Sequence, residues 1–549
     1  MLAIIFPLDG GDSAMATHEG TFDLILVGAG TAGSVLAERL TRSGHRRVLL
    51  IEAGGDPTNR FVSVPAGFAR LFQTPLDWQF ESEPQTHAAD RRVFIPRGKM
   101  LGGSSNINAQ IHQWCHPADF SEWVEAGAEG WSWEDVAPTF QAQEGWTGGA
   151  EGGPGRGRSG PMAIAPNRHA HWLSHQFVAA ARQAGLGDQP HYNGGHYQGA
   201  WIVELAHKDG RRFSAYDAFL KPAMRRSNLT VLRHGQVVRL LIEKGQATGV
   251  VVAEEGQGER VIRAGGVVLS AGAFGSPTIL MRSGIGPADH LQAHGLPVVL
   301  DAPEVGANLQ DHPMSAVIYR TRGNDTFRRA ESLSSLLQYL LFRSGHLASN
   351  AAEAMAFAPL SLTERGGAPP DLEILFAPFE WRKQGLEPPQ IDAISFGIAV
   401  IAPQSRGSVR LRSQDPFEAP IIDLGLLSDP AGADLRALLA AGRLARQIAA
   451  TSPLAESLAE EIFPGADLVT DEELALPFKG ELQTVYHPTS TCRMGTDPGA
   501  VVDPSLRLNG IERAWVVDAS VMPRVPRGHP NAVVAMIADR AAGMIESQL

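Results

Sequence analysis

The sequence predicts an α/β protein in which a Rossmann-type dinucleotide-binding domain is joined to a second, α+β part made of antiparallel strands. Three observations carry this reading. "LILVGAGTAG" (Leu24–Gly33) sets a short apolar run directly before glycines in G-x-G-x-x-G spacing and a helix-patterned segment. "RRVLLIEAG" (Arg46–Gly54) reads as a second strand ending on an acid, Glu52. Far downstream, "DAISFGIAVIAP" (Asp392–Pro403) and "GSVRLRSQDP" (Gly407–Pro416) read as strands without the strand–helix alternation of the N-terminus.

Taken in order, Leu24–Val27 is continuously apolar, as a strand covered on both faces must be. Gly28 permits the turn, Gly30 lets the backbone approach a pyrophosphate, and Gly33 lets the helix pack on the strand. Ala32, Val35, Leu36 and Leu40 recur at helical spacing. The helix start at Thr31 offers free N–H groups and a positive dipole end to phosphates. Glu52, followed by Ala53, stands where an acid binds both hydroxyls of an adenosine ribose. The glycine spacing alone is weak. The strand before it, the helix after it and the acid together make it a dinucleotide site, and leave FAD or NAD open.

Composition bounds the rest. A chain of 549 residues outgrows one core and predicts two or more domains. A formal net charge of -12 argues against nucleic acid and against a general attraction to anionic membrane. Cys115 and Cys492 make no disulfide framework, which fits a reducing compartment. No stretch is long and uncharged enough to span a bilayer. "ALLAAGRLARQIAA" (Ala437–Ala450) comes nearest, but Arg443 and Arg446 make it an amphipathic helix. Residues 1–21 read as a disordered extension. The expected location is the cytoplasm, or the periphery of the inner membrane.

Five further motifs stand in order: "RGKMLGGSSNINAQIH" (Arg97–His112), "GAFGSPTILMRSGIG" (Gly272–Gly286), "VGANLQDHP" (Val305–Pro313), "YHPTSTCRMG" (Tyr486–Gly495) and "VVDASVMPRVPRGHPNAVVAMIADRAAGMI" (Val516–Ile545). With the first glycine unit they resemble the glucose-methanol-choline (GMC) family of flavoprotein oxidoreductases, from about Phe22 to the end. The nearest flavour is the choline-dehydrogenase-like alcohol dehydrogenase branch.

That resemblance implies FAD and a Rossmann-type domain (22–158, 225–312 and 488–549) interleaved with an antiparallel-sheet substrate domain (159–224 and 313–487). Gly28, Gly30, Thr31, Ala32, Gly33, Glu52 and Ala53 would hold the ADP half, and the Val237 backbone would pair with adenine. Gly102, Gly103, Ser104 and Asn108 would lie along the pyrophosphate and isoalloxazine, and Asp518, Ala519 and Asn531 would meet the ribityl and pyrimidine side. Ile107 stands where some relatives carry a histidine bonded to FAD, so non-covalent FAD is expected. Trp114-Cys115 replaces a frequent Arg-Gly and is expected to reshape the pocket wall. The glycine-rich Thr147–Pro161 reads as a mobile loop at the entrance.

Alcohol oxidation needs a base for the hydroxyl proton and an acceptor for the hydride, which is flavin N5. Imidazole suits the first task because its pKa lies near working pH. A lone histidine is more often a buried structural residue, but His487 and His529 stand where the family pairs its catalytic residues. His487 is the expected base, and His529 the partner that holds the alkoxide. Pro530 fits the first turn of a helix whose N-terminus would face the flavin. The expected partners are a small-molecule alcohol and either a quinone-type acceptor or O2. The alternatives on this scaffold are a cyanohydrin-cleaving lyase and a flavoprotein without catalysis.

Other features weigh less. "HQWCH" (His112–His116) lacks a second ligand cluster, so no metal is expected. There is no G-x-S-x-G elbow, which disfavours a hydrolase. Glu353 and Trp381 are candidates for the pocket wall, with a structural or surface role favoured for both. The sequence gives no preference for choline over other alcohols and does not determine the oligomeric state.

Overall fold

The computed structural model describes residues 22–149, 153, 155–187, 191–193, 197–254, 256, 258–330, 332–360 and 368–549. The N-terminal extension and part of the glycine-rich loop 147–161 lie outside the described residues. In chain order the elements used below are strands β1 (Leu24–Val27), β2 (Val48–Ile51), β3 (Gly199–Ile202), β4 (Leu229–Leu232), β5 (Val267–Leu269), β6 (Pro313–Thr321), β7 (Ala354–Ala358), β8 (Leu372–Ala377), β9 (Ala393–Val400), β10 (Leu458–Phe463), β11 (Gln483–Thr484) and β12 (Ala514–Val516). The helices are α1 (Thr31–Leu40), α2 (Gly272–Arg282), α3 (Leu333–Phe342), α4 (Ala433–Ala449) and α5 (Asn531–Gln548).

Among the described residues a parallel sheet runs in the order β4-β2-β1-β5-β12. Its central strands are covered on both faces, which is why "LILV" and "VLLI" are apolar throughout. Helices α1 and α5 pack together on one side. The strand order reverses between β1 and β5, and the crevice beyond their carboxyl ends is where open α/β sheets bind ligands. Gly28 follows β1 there, and Ser270–Gly272 follow β5.

The second sheet is antiparallel, in the order β10-β6-β9-β8-β7-β3, with β11 on the start of β6. Alternation along β8 explains its two faces. Leu372, Ile374 and Phe376 join the core under α4, whereas Leu375 and Ala377 face a cavity. The fold is therefore interleaved, since segments from both ends of the chain complete the parallel sheet.

Gly407–Pro416 departs from the expected strand. Only Ser408–Arg410 is extended, because the Ser413 and Asp415 side chains accept N–H groups from Asp415 and Phe417 and close a turn. In the described part of the glycine-rich loop Arg156 is buried between Glu144 and Glu204, and no described residue of this loop lines the cavity. The Ala437–Ala450 segment is helical, within α4. No helix of the described residues is long and apolar enough to cross a membrane.

Candidate active site

A cavity of about 790 Å³ lies between the carboxyl ends of the parallel strands and the open face of the antiparallel sheet. Three helix N-termini border it: Gly30–Thr31 of α1, Ala271–Gly272 of α2 and Pro530–Asn531 of α5. Among the described residues none has a capping side chain or an acid in its first turn. Their positive ends and the first-turn N–H groups that stay free, which exclude that of Gly272 because it donates to Asp518, make this wall a donor surface for phosphates and for electron-rich ring edges. Pro530 itself takes the N-cap position, one residue before the helix proper.

The glycines divide by cause. A Cβ on Gly33 would stand 1.9 Å from the Gly28 carbonyl, and one on Gly28 would stand 2.6 Å from the Ser270 carbonyl at a φ of 96°. These two serve protein packing. Gly30 has an ordinary negative φ, and a Cβ there would meet no protein atom within 4 Å. Its side is open to the cavity, as close backbone approach of a pyrophosphate requires. The cavity size, the helix N-termini and this cradle all fit FAD.

Every expected cofactor residue lines the cavity except Gly33 and Gly102. Gly102 lies behind the wall, where its N–H donates to the Ala29 carbonyl at 2.7 Å and joins the second glycine loop to the first. Glu52 accepts the Ala29 N–H at 2.8 Å and the Gly54 N–H at 2.9 Å, and burial pushes its pKa up to about 7. Thr31 donates to Asn531 Oδ1 at 2.7 Å, joining two candidate residues from opposite ends of the chain. Asp518 accepts from Ser276 Oγ at 2.6 Å and from the Gly272 N–H at 2.8 Å. Asn108 accepts from Arg212 at 2.6 Å.

His487 and His529 face the same cavity, with ring centroids 4.9 Å apart at 82°. The backbone N–H of His487 donates to Asp311 Oδ1 at 2.8 Å, and its Nδ1 lies 3.0 Å from Nδ1 of His312. One of these two nitrogens donates and the other accepts. When His487 donates, its Nε2 keeps a free lone pair. Burial holds the His487 pKa well below the usual histidine range, and the charges of His529, His312 and Arg97 add to the effect. The ring is therefore neutral at working pH.

His529 is held from two sides. Its N–H donates to Gln113 Oε1 at 3.1 Å, and its Nε2 lies 2.8 Å from Oε1 of the fully buried Glu373. Glu373, Asp311, His312 and Arg97 were not singled out by sequence reasoning. For Glu373 the signal was a carboxylate inside an apolar strand, which has to find a partner.

Trp114 and Cys115 do not line the cavity. Trp114 stacks on Phe140 with centroids 5.7 Å apart, and Cys115 Sγ lies behind His529, 3.9 Å from its carbonyl. Both cysteines are buried and free. Trp381 does line the cavity, stacked 6.3 Å from Phe68 beside Phe72 and Phe379. Glu353 does not: it accepts from the His171 N–H at 2.7 Å, from Ser174 Oγ at 2.6 Å and from Ser349, and burial raises its pKa to about 7. Among the described residues no group of three His, Cys, Asp or Glu side chains is placed to hold a metal.

A cavity at the switch point of a parallel sheet, bordered by helix N-termini, is the ligand-site geometry of the Rossmann class. Models of the GMC oxidoreductase family match residues 22–314 and 403–538. An uncharacterized GMC-type oxidoreductase of Mycobacterium tuberculosis is 40% identical over 96% of this chain and 99% of its own. The alcohol dehydrogenase [acceptor] of Pseudomonas putida is 37% identical over 95% of each chain. The crystal structure of pyridoxine 4-oxidase from Mesorbium loti superposes with a TM-score of 0.87 at 34% identity, over 96% of this chain and 99% of that one. The protein belongs to the GMC oxidoreductase family, whose members are FAD-dependent.

Proposed function

We propose that the protein oxidises a primary or secondary alcohol to the aldehyde or ketone, with His487 as the base and FAD held non-covalently. The observation that carries this is the histidine pair lining the same cavity as three helix N-termini. When bound, FAD supplies the acceptor for the hydride of the carbinol carbon. His487 takes the hydroxyl proton on Nε2, while Nδ1 is engaged with His312. His529, backed by Glu373, donates to the same oxygen as negative charge grows there. Glu52, Thr31, Asn531 and Asp518 hold the cofactor, and Ile107 offers no group for a covalent link to it.

The aromatic wall of Phe68, Phe72, Phe379 and Trp381 favours an alcohol with an apolar body. The acid beside the histidines, Glu373, does not itself line the cavity, which disfavours a cationic alcohol such as choline. The test is anaerobic mixing of the FAD-loaded protein with aliphatic, aromatic and sugar alcohols. Loss of the oxidised-flavin absorbance with at least one of them is expected. Persistence with every alcohol would refute the redox reading and leave the lyase. Reoxidation by a quinone and by O2, run in parallel, identifies the electron acceptor.

A further inference from the structure

Helix α3 is built inside out. Its buried residues are Ser335 and Tyr339, while Leu333, Leu336, Leu337, Leu340, Leu341 and Phe342 face outward. Leu333, Leu341 and Phe342 are each at least 70% exposed. A surface helix ordinarily buries its apolar stripe, and an exposed cluster of this kind marks an interaction site.

A cationic rim borders the C-terminal end of the helix. Arg343 lies over the Tyr339 ring at 4.9 Å and packs on the turn between Lys208 and Arg211, where a Cβ on Gly210 would come within 2.5 Å of Arg343 Cβ. Lys208 and Arg211 are exposed, and among the described residues none of these three cations is ion-paired. Asp209 is the acid between them.

We propose that α3 docks the protein on an anionic phospholipid bilayer. The leucines and Phe342 enter the acyl boundary, and Lys208, Arg211 and Arg343 meet the headgroups. An apolar centre with a basic edge is the chemistry of a helix lying in the membrane interface. Ten residues make a helix about 15 Å long, which suits lying in the surface rather than crossing it. A second copy seated on the same face by two-fold symmetry would tend to bring cations onto cations. The chain carries a net charge of -12, so the attraction is local and orients the molecule with this face inward. Leu347, just past α3, packs with Phe68 and Trp381, so docking brings the aromatic wall of the cavity close to the bilayer. This surface goes beyond the alcohol-oxidation reading and does not depend on it.

The experiment is co-sedimentation of the FAD-loaded full chain with vesicles of phosphatidylcholine alone or mixed equally with phosphatidylglycerol. Binding to the mixed vesicles is expected, weaker at high salt. A Leu337→Ser/Leu340→Ser/Leu341→Ser variant should lose at least about tenfold in partitioning, given what each buried leucine contributes. A Lys208→Glu/Arg211→Glu variant should lose the preference for anionic vesicles. FAD content reports that both variants remain folded. Absence of binding by the parent protein, or equal binding by the leucine variant, overturns the proposal. So does a dimer in light scattering that the leucine substitutions dissociate while vesicle binding stays absent.

Discussion

Replacing Glu373 with glutamine removes one charge and preserves shape. The carboxylate is fully buried, with Oε1 2.8 Å from His529 Nε2. A glutamine oxygen still accepts from a neutral imidazole, but it no longer balances an imidazolium that donates to a forming alkoxide. A hydrogen bond to a charged group is worth about 1.5–3 kcal/mol and a neutral one about 1 kcal/mol. The difference, about 0.5–2 kcal/mol, slows hydride transfer by about 2- to 30-fold. Because the charge develops on the way to the transition state, the loss belongs in the rate constant and not in substrate affinity. Anaerobic stopped-flow reduction of the FAD-loaded variant separates the two across a substrate series. A Glu373→Gln protein that reduces its flavin at the parental rate, or that loses only substrate affinity, would refute a part for the Glu373–His529 pair in the transition state.

Four other outcomes are expected. His487→Ala should keep FAD but slow flavin reduction by about 10²–10⁴-fold, and near-parental reduction would remove His487 as the base. The pKa of His487 lies well below its usual value of about 6.5, so the neutral base persists as pH falls; the acid limb of the second-order rate of flavin reduction should lie below pH 6.5, and a limb at or above that value refutes the neutral, buried base. Gly30→Val should fold and fail to retain FAD, whereas Gly33→Ala should impair folding itself, because a Cβ at Gly33 would stand 1.9 Å from the Gly28 carbonyl; flavin content and circular dichroism read the contrast, and normal FAD retention by Gly30→Val counts against the cradle. Glu353→Ala leaves one buried N–H and two hydroxyls without their acceptor and should cost about 2–4 kcal/mol of stability in denaturant titration, with flavin reduction by alcohol preserved; a selective loss of reduction would place Glu353 in the site instead.

The cradle for the dinucleotide was legible because backbone geometry restricts residue type at fixed spacing. Gly28 needs a positive φ, Gly33 has no room for a Cβ, and the acid must follow the second strand. Those demands are local, and a local pattern records them. The substrate side obeys a different rule. Glu353 and Glu373 are both buried acids in the same antiparallel sheet region, yet the sequence suggested a pocket role only for Glu353. By the pairing of β7 with β8, where Ala354 lies opposite Phe376 and Phe357 opposite Glu373, both would fall on one face, but Glu353 stands just before β7 and turns to the His171 N–H and the Ser174 and Ser349 hydroxyls. The partners of both acids, His171 and Ser174 for one and His529 for the other, lie far away in the chain, so no window around either acid contains them. The same holds for the facing Nδ1 atoms of His312 and His487, which come from two separate motifs. The histidine pair could therefore be named from sequence. The carboxylate behind it could not, because Glu373 reaches His529 across the sheet from a distant part of the chain.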